Sequence, residues 1–185
     1  AKAGQRPLVL MPNPFYQVYA VAALSVGAEP RYLPATANTG FLPDLDAISP
    51  ETLDRAAIFY LCSPSNPQGA VAPESYLKRL LDLAERHDFR VFADECYSEI
   101  WRDTPPPGAL AVAEAMRSDP ERLVVFNSLS KRSNLPGLRS GFVAGDADLI
   151  QRFKTLRNYG GATLPLPILA ASAALWDTAS RRSPR

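Results

Sequence analysis

Ser128-Leu129-Ser130-Lys131-Arg132-Ser133-Asn134-Leu135-Pro136-Gly137-Leu138-Arg139-Ser140-Gly141-Phe142 follows directly on an apolar run, Leu123 to Phe126. The run reads as a buried strand. A lysine just past the carboxyl end of such a strand stands where α/β sheets bind their ligands. Its amine can form an imine with an aldehyde cofactor. The hydroxyls of Ser128 and Ser130 and the planar fork of Arg139 can hold a phosphate. The alternative is a solvated loop lysine, and the rest of the chain bears on the choice.

Outward from this segment, short β-rich runs alternate with helical patterns. Strands are expected at Leu8–Met11, Pro30–Leu33, Ile58–Cys62, Val91–Ala93, Leu123–Phe126 and Gly141–Ala144. Helices are expected at Tyr16–Val26, Pro73–His87, Leu110–Met116, Ala147–Tyr159 and Leu169–Trp176. Tyr76, Leu77, Leu80, Leu81 and Ala84 recur at helical spacing behind Pro73, a residue suited to a first helical turn. Leu149, Ile150, Phe153 and Leu156 make a second apolar stripe. The alternation implies an α/β fold with a mostly parallel sheet covered by helices on both faces.

Composition narrows the function classes. The 185 residues carry a net charge of +1, which disfavours nucleic acid as the main ligand. No stretch is long and apolar enough to span a bilayer. Two cysteines, Cys62 and Cys96, form neither a CxxC pair nor a disulfide framework, so a reducing cytoplasm is expected. A single histidine, His87, rules out a histidine-rich zinc site and most Ser-His-Asp chemistry, and no metal is expected. The 18 prolines, about twice average usage, punctuate turns between apolar segments.

Three more segments sit just after expected strands. Pro12-Asn13-Pro14-Phe15-Tyr16 opens a helix, and Tyr16, or secondarily Phe15, can stack on a cofactor ring or pack beneath the helix. Ser65-Asn66-Pro67-Gln68-Gly69 is turn chemistry that can also present the Asn66 amide to a ligand. Asp94-Glu95-Cys96-Tyr97 closes a strand with a carboxylate, free either to cap a helix or to pair with a protonated ring nitrogen. Glu95 reads as a structural partner and Arg132 as a solvated neighbour.

Taken together, the four segments span residues 8 to 145 and resemble, in order, the class I/II aminotransferases, the fold-type I pyridoxal-phosphate enzymes. The resemblance implies ring stacking by Tyr16, hydrogen bonds from Asn66 and Tyr97 to the cofactor's phenolic oxygen, and Asp94 on its ring nitrogen. It implies an imine and proton transfer at Lys131, and phosphate contacts from Ser128, Arg139 and, more weakly, Ser130. It also implies amino-acid and 2-oxo-acid substrates and a homodimeric full-length protein. Pro12-Asn13-Pro14-Phe15-Tyr16-Gln17, Gly40-Phe41-Leu42-Pro43-Asp44-Leu45 and Lys131-Arg132-Ser133-Asn134 further resemble the bacterial N-succinyldiaminopimelate aminotransferases.

Ser140 departs from the family's usual apolar residue. The resemblance leads to the expectation that the family's glycine-rich phosphate loop, its small domain with the substrate-binding arginine, and its N-terminal arm lie outside these 185 residues. The expectation is an incomplete large domain over residues 1–176, with a non-domain tail at 177–185 and little activity on its own. A lyase or decarboxylase of the same fold remains an alternative, because the electron sink is common to these reactions. So does an aminotransferase-like effector-binding domain of a transcriptional regulator.

Overall fold

The computed structural model describes residues 4–117, 122–161 and 164–177. The strands are β1 (Leu8–Asn13), β2 (Glu29–Pro34), β3 (Ala56–Cys62), β4 (Arg90–Asp94), β5 (Leu123–Ser128) and β6 (Gly141–Gly145). The helices are α1 (Gln17–Ser25), α2 (Pro50–Arg55), α3 (Glu74–His87), α4 (Ala109–Met116), the single turn α5 (Leu129–Arg132), α6 (Ala147–Gly160) and α7 (Leu166–Asp177). Among the described residues the strands form one sheet in the order β2-β1-β3-β4-β5-β6. Every neighbouring pair is parallel except β5 and β6, which run antiparallel.

Strand β1 is apolar from Leu8 to Pro12, where both its faces are covered as expected of a central strand in a parallel sheet, and ends in the exposed Asn13. Leu8 and Leu10 join Phe59, Leu61, Val91, Ala93, Leu123 and Val125 in a core closed by α3 and α4. Val9 and Met11 point the other way, under Tyr19, Ala20 and Ala23 of α1. The α3 stripe is buried as its spacing requires, with Leu77, Leu80, Leu81, Leu83 and Ala84 inward. Pro73 stands one position before the helix, at its N-cap. Helix α2 has no apolar period to announce it. It forms on a local signal, the Ser49 hydroxyl accepting from Thr52 N with Pro50 in the first turn.

Two expectations change. Helix α6 forms, but Phe153 and Leu156 of its apolar stripe are exposed, and no residue of α6 is buried. Arg132 is only partly solvated. Its guanidinium lies 4.5 Å over the Trp176 ring and donates to Leu175 O, because α7 packs against the Lys131 segment. Residues 178–185, the greater part of the expected tail, lie outside the described residues.

The chain runs from β1 outward to β2, then returns to place β3 on β1's other side. The loops after β1 and β3 therefore diverge, and a crevice opens between them at the carboxyl ends of the strands. The antiparallel turn-back of β6 brings its first residue beside the last of β5, pairing Ser128 with Gly141. Residues 129–140 are thereby pinched into a loop over the same edge, closed at its base by Leu129 N donating to Ser140 O at 3.0 Å. Gly141 permits the approach, since a Cβ there would stand 2.3 Å from Asn127 O.

Candidate active site

Asp94 is the best-anchored residue at this edge. It ends β4 in register with Cys62 of β3, its carbonyl accepts from Ser63 N, and the next amide, Glu95 N, donates to Phe126 O of β5. Its Oδ1 accepts from Cys96 N at 3.2 Å, and its Oδ2 from the hydroxyl of Tyr19 on α1. Glu95 turns away and accepts from Ala109 N at 2.7 Å, satisfying an orphan amide at the N-terminus of α4. Burial raises its carboxyl above the usual carboxylate range, an effect the Ala109 bond partly opposes.

Tyr97 stands in the turn after β4, where Ile100 N donates to its carbonyl at 2.9 Å. The Lys131 Nζ is 5.9 Å from the centre of its ring. Ser128 N-caps the α5 turn through Oγ, which accepts from Ser130 N at 3.1 Å and lies 2.9 Å from the Ser130 hydroxyl. Arg139 adopts a left-handed backbone (φ 53°) and donates to Pro136 O at 2.7 Å. Phe15 packs on Tyr32, 4.9 Å between ring centres, while the half-exposed Tyr16 is the N-cap of α1 and lines the cavity.

Tyr16, Asn66, Asp94, Tyr97, Ser128, Ser130, Lys131 and Arg139 line one cavity of about 380 Å³, together with Tyr19, Cys62, Cys96 and Pro136. All eight residues picked from the sequence thus meet, although they come from four separate loops. Tyr19 was missed. Its signal was its place three residues after Tyr16, on the same helical face. The two cysteines are free. Burial first, then the Asp94 charge, pushes the Cys62 thiol up to about 11 and raises that of Cys96 as well. Both remain thiols near neutral pH and make poor nucleophiles. Burial likewise raises the Tyr97 phenol, which stays protonated and able to donate.

The donor set is polarised. Its lining brings together the Asp94 carboxylate, the phenols of Tyr16, Tyr19 and Tyr97, the Asn66 amide, and a lysine, two serines and an arginine from one stretch of chain. That sequence of groups fits an aromatic aldehyde with a basic ring nitrogen and a phosphate arm. The class follows: an α/β fold with a lysine-bearing cleft at the carboxyl edge of its sheet.

Known relatives give the family. The model of the class I and II aminotransferases matches residues 1–182, and the chain belongs to that family. Class I and II aminotransferases depend on pyridoxal phosphate. The chain is 39% identical over 170 residues to an LL-diaminopimelate aminotransferase of Desulforudis audaxviator (strain MP104C), covering 91% of this chain and 42% of that protein. Among solved structures it matches an aminotransferase from Neisseria meningitidis Z2491, with TM-score 0.89, 43% identity and coverage of 96% and 45%. It also matches a probable N-succinyldiaminopimelate aminotransferase from Thermus thermophilus, with TM-score 0.85, 28% identity and coverage of 94% and 46%. The chain spans less than half the length of these relatives.

Proposed function

We propose that this chain is the cofactor-binding part of a pyridoxal-phosphate-dependent aminotransferase that moves an amino group from glutamate to a 2-oxo acid of lysine biosynthesis. The observation that carries the reading is the meeting of four separate loops, with Asp94, Tyr97, Lys131 and Arg139 among their residues, on one cavity. Pyridoxal phosphate, when bound, supplies an electron sink for the negative charge left when a substrate loses its α-proton. Asp94 would hold the ring nitrogen in its protonated form. Tyr97 and Asn66 would donate to the phenolic oxygen, and Tyr16 would cover the ring face. Ser128, Ser130 and Arg139 would hold the phosphate. Lys131 would hold the aldehyde end, and its amine would carry the proton to and from the substrate's α-carbon.

The substrate proposed is N-succinyl-2-amino-6-oxopimelate. The segment likeness at residues 12–17, 40–45 and 131–134 and the Thermus thermophilus structural relative support it. A second reading, the same diacid skeleton without the succinyl group, is favoured by the relatives at 35–39% identity named LL-diaminopimelate aminotransferases. A homodimer and a cytoplasmic setting belong to the same proposal, the latter supported by the free thiols at Cys62 and Cys96.

The test uses full-length protein containing this chain. Borohydride reduction and peptide mapping should place the cofactor on Lys131. Assays with glutamate and each of the two oxo acids should then show turnover with at least one. Cofactor on Lys78 or Lys154, or no turnover with either acid, would overturn the reading.

A further inference from the structure

One polar contact at the cavity wall joins residues 75 positions apart that no motif connects: the Tyr19 hydroxyl donates to Asp94 Oδ2. We propose that Tyr19 is a positioning residue for transamination, fixing the Asp94 carboxylate so that its charge is aimed at the ring nitrogen of pyridoxal phosphate. The inference rests on the transaminase reading and extends it to a residue that would act only through another.

Packing places the Tyr19 ring independently of its hydroxyl. The ring is 5% exposed and stacks on Tyr60 with centres 4.3 Å apart and planes within 8°. It meets the Tyr16 ring in a T-shaped contact at 5.8 Å, so one side chain touches both Tyr16 and Asp94 of the cavity lining. Burial, and then the neighbouring Asp94 charge, raises the phenol far above its ordinary value, which keeps it protonated and able to donate. Asp94 Oδ1 is held separately by Cys96 N. Two donors, one on each oxygen, remove the carboxylate's freedom to rotate while leaving further lone pairs for the cavity side. Packing alone does not require that arrangement. A phenylalanine would fill the same stack.

The experiment is Tyr19→Phe in full-length protein loaded with pyridoxal phosphate, with Asp94→Asn and the double variant alongside. Loss of a hydrogen bond to a charged group should lower kcat about tenfold while KM changes little. The near-visible absorbance of the bound cofactor should titrate at a shifted pH in Tyr19→Phe. Tyr19→Phe should produce no additional shift on the Asp94→Asn background. An unshifted profile, with or without a fall in kcat, would overturn the inference while leaving the transaminase reading intact, and so would equal shifts on both backgrounds. Parent protein that fails to take up the cofactor would overturn that reading and this inference with it.

Discussion

Asp94→Asn separates the chemical role of this side chain from its structural one. Asparagine keeps the size of aspartate, and its carbonyl can still accept from Cys96 N, as Oδ1 does now. Its amide must then face Tyr19, whose hydroxyl can turn and accept, so neither group is left unpaired. The folding cost is the difference between charged and neutral hydrogen bonds, about 1 kcal/mol, or a fall in Tm of roughly 2–4 °C. The catalytic cost is of another order. Opposite charges in contact at about 3 Å, with an effective dielectric constant of about 20, attract by about 5–6 kcal/mol, which corresponds to about four orders of magnitude in rate. Full-length Asp94→Asn should therefore retain cofactor, melt within a few degrees of the parent, and lose roughly 10⁴ in kcat. Stopped-flow turnover and calorimetry on the same sample measure both quantities. Near-normal turnover would refute the role given to Asp94, and loss of folding would refute the hydrogen-bond argument.

Glu95→Gln should not lose stability near neutral pH, because glutamine can still accept from Ala109 N without a buried charge. Since burial raises the Glu95 carboxyl, its protonated form favours folding below about pH 4.5, and that contribution is lost as pH rises through the raised value. Stability curves of parent and Glu95→Gln should therefore diverge across that window, and parallel curves would count against the buried charge. Cys62, with its thiol pushed up to about 11, should react with iodoacetamide slowly at pH 8 and far faster as pH approaches 11. Mass spectrometry of the Cys62 peptide reads this directly, and rapid labelling at pH 7 would contradict it. Gly141→Ala forces a Cβ to within 2.3 Å of Asn127 O, so the β5–β6 pairing must shift. A loss of at least 1–3 kcal/mol in denaturant unfolding, with weakened cofactor binding, is expected.

Much of this architecture was legible because its causes are local. Alternating apolar runs and helical stripes marked the strands and α3, since burying one face imposes a period on the sequence. Lys131, Asp94 and Asn66 could be picked out because ligands in such sheets meet the loops after the strands. Helix α2 escaped because a six-residue helix held by the Ser49 cap leaves too short a period to see. The exposed stripe on α6 shows the converse, a period that appears in the sequence without a covering surface among the described residues. What the chain order does not contain is which strand lies beside which. The return of β3 to the far side of β1 opens the crevice, and the reversal of β6 pairs Gly141 with Ser128, bringing the loop that carries Arg139 back to the same edge. Both are outcomes of pairing between distant segments, decided by the burial of the whole sheet. The Tyr19–Asp94 bond belongs with them. Nothing within a window of sequence relates an α1 phenol to a β4 carboxylate 75 residues later, and only packing α1 across β1 and β3 brings donor and acceptor together.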